Sequence, residues 1–338
     1  MGLVLTYCLS RWHEGVPSDA PQTMDEALAR IDELYDSGKL FFTKESIRAV
    51  YEQFQGSTGH GEKIFVKDVE GATIEYTLRT GETFPMLRYQ GRGHLKHSLR
   101  RLYEGANHEP ERTSPLRSLQ VYQRSEKLVF GTKELVQDPT LPSRDNLNSY
   151  FKEQILAWQE SEMCKRVVQI LDSSVAGHSI EKIVAVALGG ISRDDRHSSA
   201  FQHALVLTLR EWLHARQKSV SCYAQDPAYK AVDKVVLEEH GIEIIDDPRA
   251  WLEVDEQSIL FSCAPNVPVK EIVADTTRPA AVIWERLDDN DWDVEGEGKF
   301  TDPYTPRVRA MLEGYEMFEF GADDHFCSTV IYVRRCRD

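Results

Sequence analysis

The sequence predicts an α/β protein: a parallel sheet covered on both faces in its second half, preceded by an N-terminal α+β extension of helices plus a β-hairpin. Three observations carry this. Short, fully apolar runs such as IVAVAL (183–188) and SILFSCA (258–264) read as strands buried on both faces. Helical stretches separate these runs, as in FQHALVLTLREWLHAR at 201–216. The alternation of apolar and polar residues at 62–79 stays within the first half and reads as a hairpin. Right-handed crossovers turn the order β-α-β-α-β, then β-α-β, into a Rossmann-like three-layer sheet.

The elements follow in order. Residues 24–37 place Leu28, Ile31 and Leu34 at helical spacing, with Gly38 as a stop. Thr43 opens a second helix whose face is Ile47, Val50, Tyr51 and Phe54. The hairpin turns around Glu70-Gly71. Residues 86–103 are the most basic stretch, with a helix expected from near Gly93 and Leu95, Leu99 and Leu102 turned inward. LQVYQRS is a short strand, and the two prolines of 137–146 mark a linker or surface loop. One helix is expected from Leu147 to about Leu171, burying Phe151, Ile155, Trp158, Cys164, Val167, Val168 and Leu171. Strands then fall at 183–188, 220–224, 242–245, 258–264 and 280–284, with helices at 199–216, 228–240 and 268–275 between them. Residues 327–336 form a last strand, antiparallel at the sheet edge. The division expected is 1–146 for the extension and 147–338 for the sheet domain.

Composition narrows the function classes. The 338 residues carry 40 basic and 55 acidic side chains, a net charge of −15, which disfavours a whole-surface nucleic-acid binder and leaves room for a local basic patch. No run of about 18 apolar residues occurs, so no membrane span is expected. The N-terminus lacks a basic region and a small-residue cleavage site. Gly2 and Thr6 meet only the loose myristoylation pattern. None of the six cysteines forms a CxxC pair, and Cys222 and Cys263 sit in apolar runs. These read as buried free thiols of a reducing compartment, so the protein is expected in the cytoplasm, with the nucleus also open. No metal site is assigned, and no cofactor is named.

In an open parallel sheet, ligands bind at the carboxyl ends of the strands. Those ends are LGGISRDDRHSS (188–199), AQDPAY (224–229), DDPRAW (246–251), CAPNVP (263–268) and ERLDD (285–289). Gly189 and Gly190 either let a ligand approach the backbone at a helix start or serve a tight turn. The pattern GGxS is no dinucleotide fingerprint. Ser192 follows as a nucleophile, a phosphate ligand or a turn serine. His197 and His203 are near it in sequence, without an established Ser-His-Asp order. Asp226 ends the second strand, where an acid takes ribose hydroxyls or, with Pro227 at the first helical position, caps a helix. Residues 284–297 hold seven acids against Arg286, most simply a solvated loop. Glu285 stands apart there, at a strand end.

The segments VALGGIS (186–192), FQHALVLTL (201–209), YAQDPAYKAVDKVVLEEHGIEIIDDP (223–248) and LFSCAPNVPVKEIVAD (260–275) resemble the SRR-like domain, named for "sensitivity to red light reduced". The resemblance covers roughly 180–290 and is nearest the fungal branch. Gln202, Asp226, Pro227 and Pro265 match the family pattern. Pro265-Asn266-Val267 stands where many members have Pro-His-Cys, and Trp284-Glu285-Arg286 where many have Gly-Asn-Ser. The resemblance implies a Rossmann-like fold and links to circadian regulation, haem metabolism and tubulin-related phenotypes.

Two function classes follow, and a third beside them. The first is a regulatory or metabolic binding protein holding a small molecule or nucleotide-type group through Gly189, Gly190, Gln202, Tyr229, Pro265 and Asn266. The second is a transferase of secondary metabolism using aminoacyl-tRNA, arranged as in cyclodipeptide synthases. There Ser192 would take the acyl group, and Glu285 or Asp226 would bind the amine or act as base. Arg92, Lys96, Arg100 and Arg101 would meet phosphates of RNA; against this, helices carry polar faces in any case. The third is a nucleotide- or S-adenosylmethionine-dependent enzyme with Asp226 on a ribose. Oligomeric state is left open.

Overall fold

The structure is a computed structural model. It describes residues 5–7, 9–13, 15–56, 61–78, 83–104, 114–125, 140–193, 198–216, 219–287, 301–321 and 324–336. The chain divides into two compact units. The first comprises Met1–Gln137, Lys270–Thr276 and Asp291–Thr305, and the second comprises Asp138–Val269, Thr277–Asn290 and Pro306–Asp338.

In the first unit, β1 (Leu5–Tyr7), β6 (Leu119–Ser125) and β5 (Thr83–Tyr89) form one antiparallel sheet. A second is ordered β2 (Leu9–Trp12), β4 (Thr73–Thr77), β3 (Lys63–Lys67). The β3–β4 hairpin turns where the alternation places it and is extended by β2, while β1 and β5 pair with β6 in the other sheet. Helices α1 (Met24–Asp36), α2 (Lys44–Gly56) and α3 (Arg92–Glu104) complete the unit, with α9 (Val269–Thr276) entering from Lys270. Thr23 and Glu26 form a reciprocal cap at the start of α1, and Thr43 Oγ1 accepts the Ser46 N–H at the start of α2. A cavity of about 260 Å³ lies in this unit, walled by Trp12, Pro17, Pro21, Asp68, Ser114 and Leu116. It is smaller than the roughly 300–1,000 Å³ of pockets that take small-molecule ligands.

The second unit holds a seven-stranded sheet. Its order is β12 (Tyr315–Phe318), β13 (Thr329–Arg334), β11 (Ala281–Glu285), β10 (Ser258–Ser262), β7 (Lys182–Val186), β8 (Ser221–Gln225), β9 (Glu243–Ile244). From β11 to β9 every pairing is parallel, and β13 runs antiparallel to β11. The helices are α4 (Arg144–Glu160), α5 (Glu162–Ile170), α6 (Ser198–His214), α7 (Ala231–Glu239), α8 (Arg249–Glu253) and α10 (Pro306–Leu312). Ile183, Ala185, Ile259, Phe261 and Ile283 project from one face into a core with Phe151, Trp158, Val167, Leu205 and Leu209. This is the expected mixed α/β, Rossmann-like architecture. Among the described residues no helix is long and apolar enough to cross a membrane.

Three expectations are corrected. The single helix over 147–171 is two, because Ser161 leaves the helical conformation (ψ 150°) and its Oγ caps α5 by accepting the Cys164 N–H. The helix expected at 228 begins at Ala231, because Pro227 and Ala228 lie in a turn closed by the Asp226 carboxylate. The last strand is not the edge. β13 is buried from Thr329 to Val333, so it needs a neighbour on each side, and β12, exposed at Glu316 and Met317, takes the edge.

Candidate functional site

The carboxyl ends of β7, β8, β10 and β11 lie side by side because these strands are parallel neighbours. Val186 pairs with Ser262 on one side and Gln225 on the other. Thr329 pairs with Glu285, so the residues just before β13 reach the same edge.

On the β7–β8 side, carboxylates hold the loops by their backbone. Asp226 accepts N–H bonds from Gly189 and from Ala228, each at 2.7 Å. Asp233, fully buried in the first turn of α7, accepts the N–H groups of Ser192 and Lys230, each at 2.7 Å, and the Ser192 hydroxyl at 3.0 Å. Three donors offset much of the cost of burying a carboxylate. Burial nevertheless pushes the Asp233 carboxyl above the ordinary range. Gly190 leaves room for this group, since a Cβ there would lie 2.8 Å from Asp233 Oδ2. Gly189 has φ +74°, and a Cβ would lie 2.6 Å from Ser199 Oγ. What approaches the two glycines is thus this chain's own side chains.

His203 is fully buried beside them. Its Nδ1 lies 2.6 Å from the Ser199 carbonyl, which can only accept, so Nδ1 carries the proton and Nε2 accepts the Tyr229 hydroxyl at 2.8 Å. Burial pushes His203 down to about 4, so the ring is neutral at neutral pH.

The β10–β11 side is held mostly by neutral bonds, among them the Arg286 N–H to the Ser328 carbonyl at 2.8 Å. The Gln202 amide donates to the His325 carbonyl at 2.7 Å, and Phe201 stacks on the His325 ring at 4.2 Å. Glu285 accepts the Ser328 hydroxyl at 3.4 Å. Ser262, the last residue of β10, and Trp284, the last but one of β11, lie on the face opposite the Phe261–Ile283 core. Both are buried, and neither the hydroxyl nor the indole N–H finds a hydrogen-bond partner among the described residues. Among those residues, three non-glycines have left-handed backbone: Ala187 (φ 59°), Ala264 (φ 46°) and Cys327 (φ 51°). Ala187 directly follows β7, Ala264 follows the end of β10 by two positions, and Cys327 precedes β13 by two. All three therefore mark one edge of one sheet.

A family model of the SRR1 domain matches residues 157–332, more than half of the chain. The chain belongs to the SRR1 domain family. The match is wider at both ends than the segments that carry the resemblance, taking in α5 and most of β13. No curated protein matches the chain.

The SRR1 domain gathers Gly189, Gly190, Ser192, Asp226 and Tyr229 around Asp233 and His203. Gln202 is on α6, Pro265 is buried and Asn266 exposed after β10, and Glu285 is half-buried at the end of β11. The basic residues belong to the first unit. There Arg92 and Lys96 pair with Asp32 at 2.6 and 2.8 Å, and Lys96 is buried. Arg100 is half-buried on α3. Arg101 has its backbone in α3, and its side chain is outside the described residues, as are His197 and the acidic stretch from Asp288 to Glu297. The cysteines divide: Cys164, Cys222 and Cys263 are buried as apolar context predicts, Cys327 and Cys336 are exposed, and Cys8 is outside the described residues. Sequence reading missed Asp233. Its signal was its place three residues after Lys230, the third helical position of α7, where a carboxylate serves a cap.

Proposed function

We propose that the SRR1 domain binds a small molecule or nucleotide-type group at the carboxyl edge of its parallel sheet, in a regulatory or metabolic role. The observation that carries this is the clustering of Ala187, Ala264 and Cys327 in left-handed conformation along that edge. Each such residue costs of order 1–3 kcal/mol and persists where surrounding structure is arranged to hold it, most often at ligand sites. The unpartnered donors of Ser262 and Trp284, near the carboxyl ends of β10 and β11, support the same place. Binding needs no nucleophile, which suits Ser192. Its hydroxyl proton is directed at Asp233, an acceptor already engaged by two backbone N–H groups, so the serine serves as an anchor for its loop.

The test is to purify the full chain natively, release small molecules by denaturation and identify them by mass spectrometry. Thermal shifts with ATP, NAD and S-adenosylmethionine would run alongside. A retained species or a probe that stabilises the protein is expected, and Asn266→Trp, at an exposed position on the edge, should abolish it while Ser192→Ala does not. The reading is overturned if nothing is retained and no probe shifts the midpoint, or if Asn266→Trp leaves binding unchanged.

A further inference from the structure

We propose that Cys263 and Cys327 form a reversible disulfide that locks the segment before β13 onto the end of β10. Cys263 is the first residue after β10, and its thiol lies 3.7 Å from the carbonyl oxygen of Phe326 and 3.6 Å from Thr329 Oγ1. Those two residues bracket Cys327 in sequence, and the Cys327 thiol itself interacts with that of Cys263. Disulfides form across Cα separations of about 4.4–6.8 Å. The Cys263 thiol rests on the carbonyl oxygen of the peptide group that leads into Cys327. The other described thiols are placed differently: Cys164 bonds to Thr208 in the core, Cys222 is buried on β8, and Cys336 lies 3.9 Å from His178 Nε2.

The two partners have complementary access. Cys327 is exposed, on backbone held at φ 51°, while Cys263 is 5% exposed. With glutathione disulfide as oxidant, the Cys327 thiolate attacks one sulfur, forming a mixed disulfide and releasing one glutathione thiolate. Cys263 then gives up its proton and attacks the Cys327 sulfur of the mixed disulfide, releasing the second glutathione. Two cysteine thiols are oxidised by two electrons, one glutathione disulfide is reduced to two thiols, and the two cysteine protons balance the two glutathione thiolates. Burial pushes the Cys263 thiol up to about 12, so the second step is slow and accelerates with pH. None of this depends on a ligand at the edge.

The test incubates the full chain with glutathione disulfide, alkylates remaining thiols, digests without reduction and reads peptides by mass spectrometry. A linked pair containing Cys263 and Cys327 is expected, lost on reduction. Its formation should quicken by about tenfold per pH unit above neutrality, following the thiolate fraction of Cys263. Cys327→Ser should give no linked pair, and Cys263→Ser should accumulate the mixed disulfide at Cys327. The proposal is overturned if wild-type Cys327 ends only as a glutathione adduct beside a free Cys263 thiol, or links to any other cysteine. Because Cys327 is exposed, its serine variant keeps the test valid even if Cys263→Ser fails to fold.

Discussion

Acidification should destabilise this protein through His203 before most carboxylates are protonated. The ring is fully buried, keeps its single proton on Nδ1 for the Ser199 carbonyl, and uses Nε2 to accept from Tyr229. Protonating it would place a charge in the core and turn Nε2 from acceptor to donor, facing a hydroxyl that must then reverse. The folded group titrates at about 4 and the unfolded group at 6.5. The unfolded chain therefore binds more protons between those values, and stability falls as pH drops through that window. Linkage from about pH 7 to about pH 5 gives a loss of about 2 kcal/mol from this one residue. The assay is urea unfolding at both pH values for the wild type and His203→Leu. The variant is less stable at neutral pH, because Tyr229 loses its acceptor, but its loss on acidification should be smaller by about 2 kcal/mol. Carboxylates common to both proteins cancel in that difference. Parallel losses in the two proteins would refute the reasoning.

Other outcomes follow from the same network. Ser192→Ala removes one donor to Asp233 and should cost about 1 kcal/mol by chemical denaturation, whereas Asp233→Ala strands the N–H groups of Ser192 and Lys230 and should cost about 3 kcal/mol. Gly190→Ala puts a methyl 2.8 Å from Asp233 Oδ2 and should cost about 2 kcal/mol, a penalty that shrinks in the Asp233→Ala background because the clash is gone. Bridging Cys263 to Cys327 closes a loop of 64 residues (327 − 263) and should raise unfolding stability by about 4 kcal/mol over the reduced protein, read as a higher denaturation midpoint.

The parallel sheet was legible because burial on both faces writes a continuous apolar run, as in β7 and β10, which periodicity alone distinguishes from the alternating hairpin of β3 and β4. The cap at Thr43 was legible for a local reason, since donor and acceptor sit three residues apart; the reciprocal Thr23–Glu26 cap has the same spacing and was missed. Most other failures were long-range. Ser192 meets Asp233 across 41 positions, and Lys96 meets Asp32 across 64. A buried lysine and a surface lysine look alike in sequence until the partner is known. β12 escaped notice because an edge strand of four residues with two exposed side chains carries too little apolar pattern. Cys263 and Cys327 read as separate thiols for the same reason that Asp226-Pro227 read as a helix start: only the fold brings their partners to them.

The two sides of the carboxyl edge are built from bonds of unequal strength, and this bears on where a ligand would be discriminated. On the β7–β8 side, charge-assisted bonds of 2.7 Å tie Gly189, Ala228, Ser192 and Lys230 to two carboxylates. Such bonds are roughly twice as strong as neutral ones, so these loops form a fixed frame. On the β10–β11 side the segment around Cys327 is fastened mostly by neutral bonds: the Gln202 amide to the His325 carbonyl at 2.7 Å, the Arg286 N–H to the Ser328 carbonyl at 2.8 Å, and sulfur contacts of 3.6–3.7 Å. A segment fastened mostly by neutral bonds moves at a smaller cost to a ligand's binding energy than a frame held by charge-assisted ones. Asn266, just after β10, and Glu285, at the end of β11, both fall on the side of the neutral bonds. On the binding reading, exchanging the residues of that side should change which ligand is held, whereas exchanging Asp226 or Asp233 should change whether the domain folds. Equal loss of folding from Glu285→Ser and Asp233→Ser would show that this division is wrong.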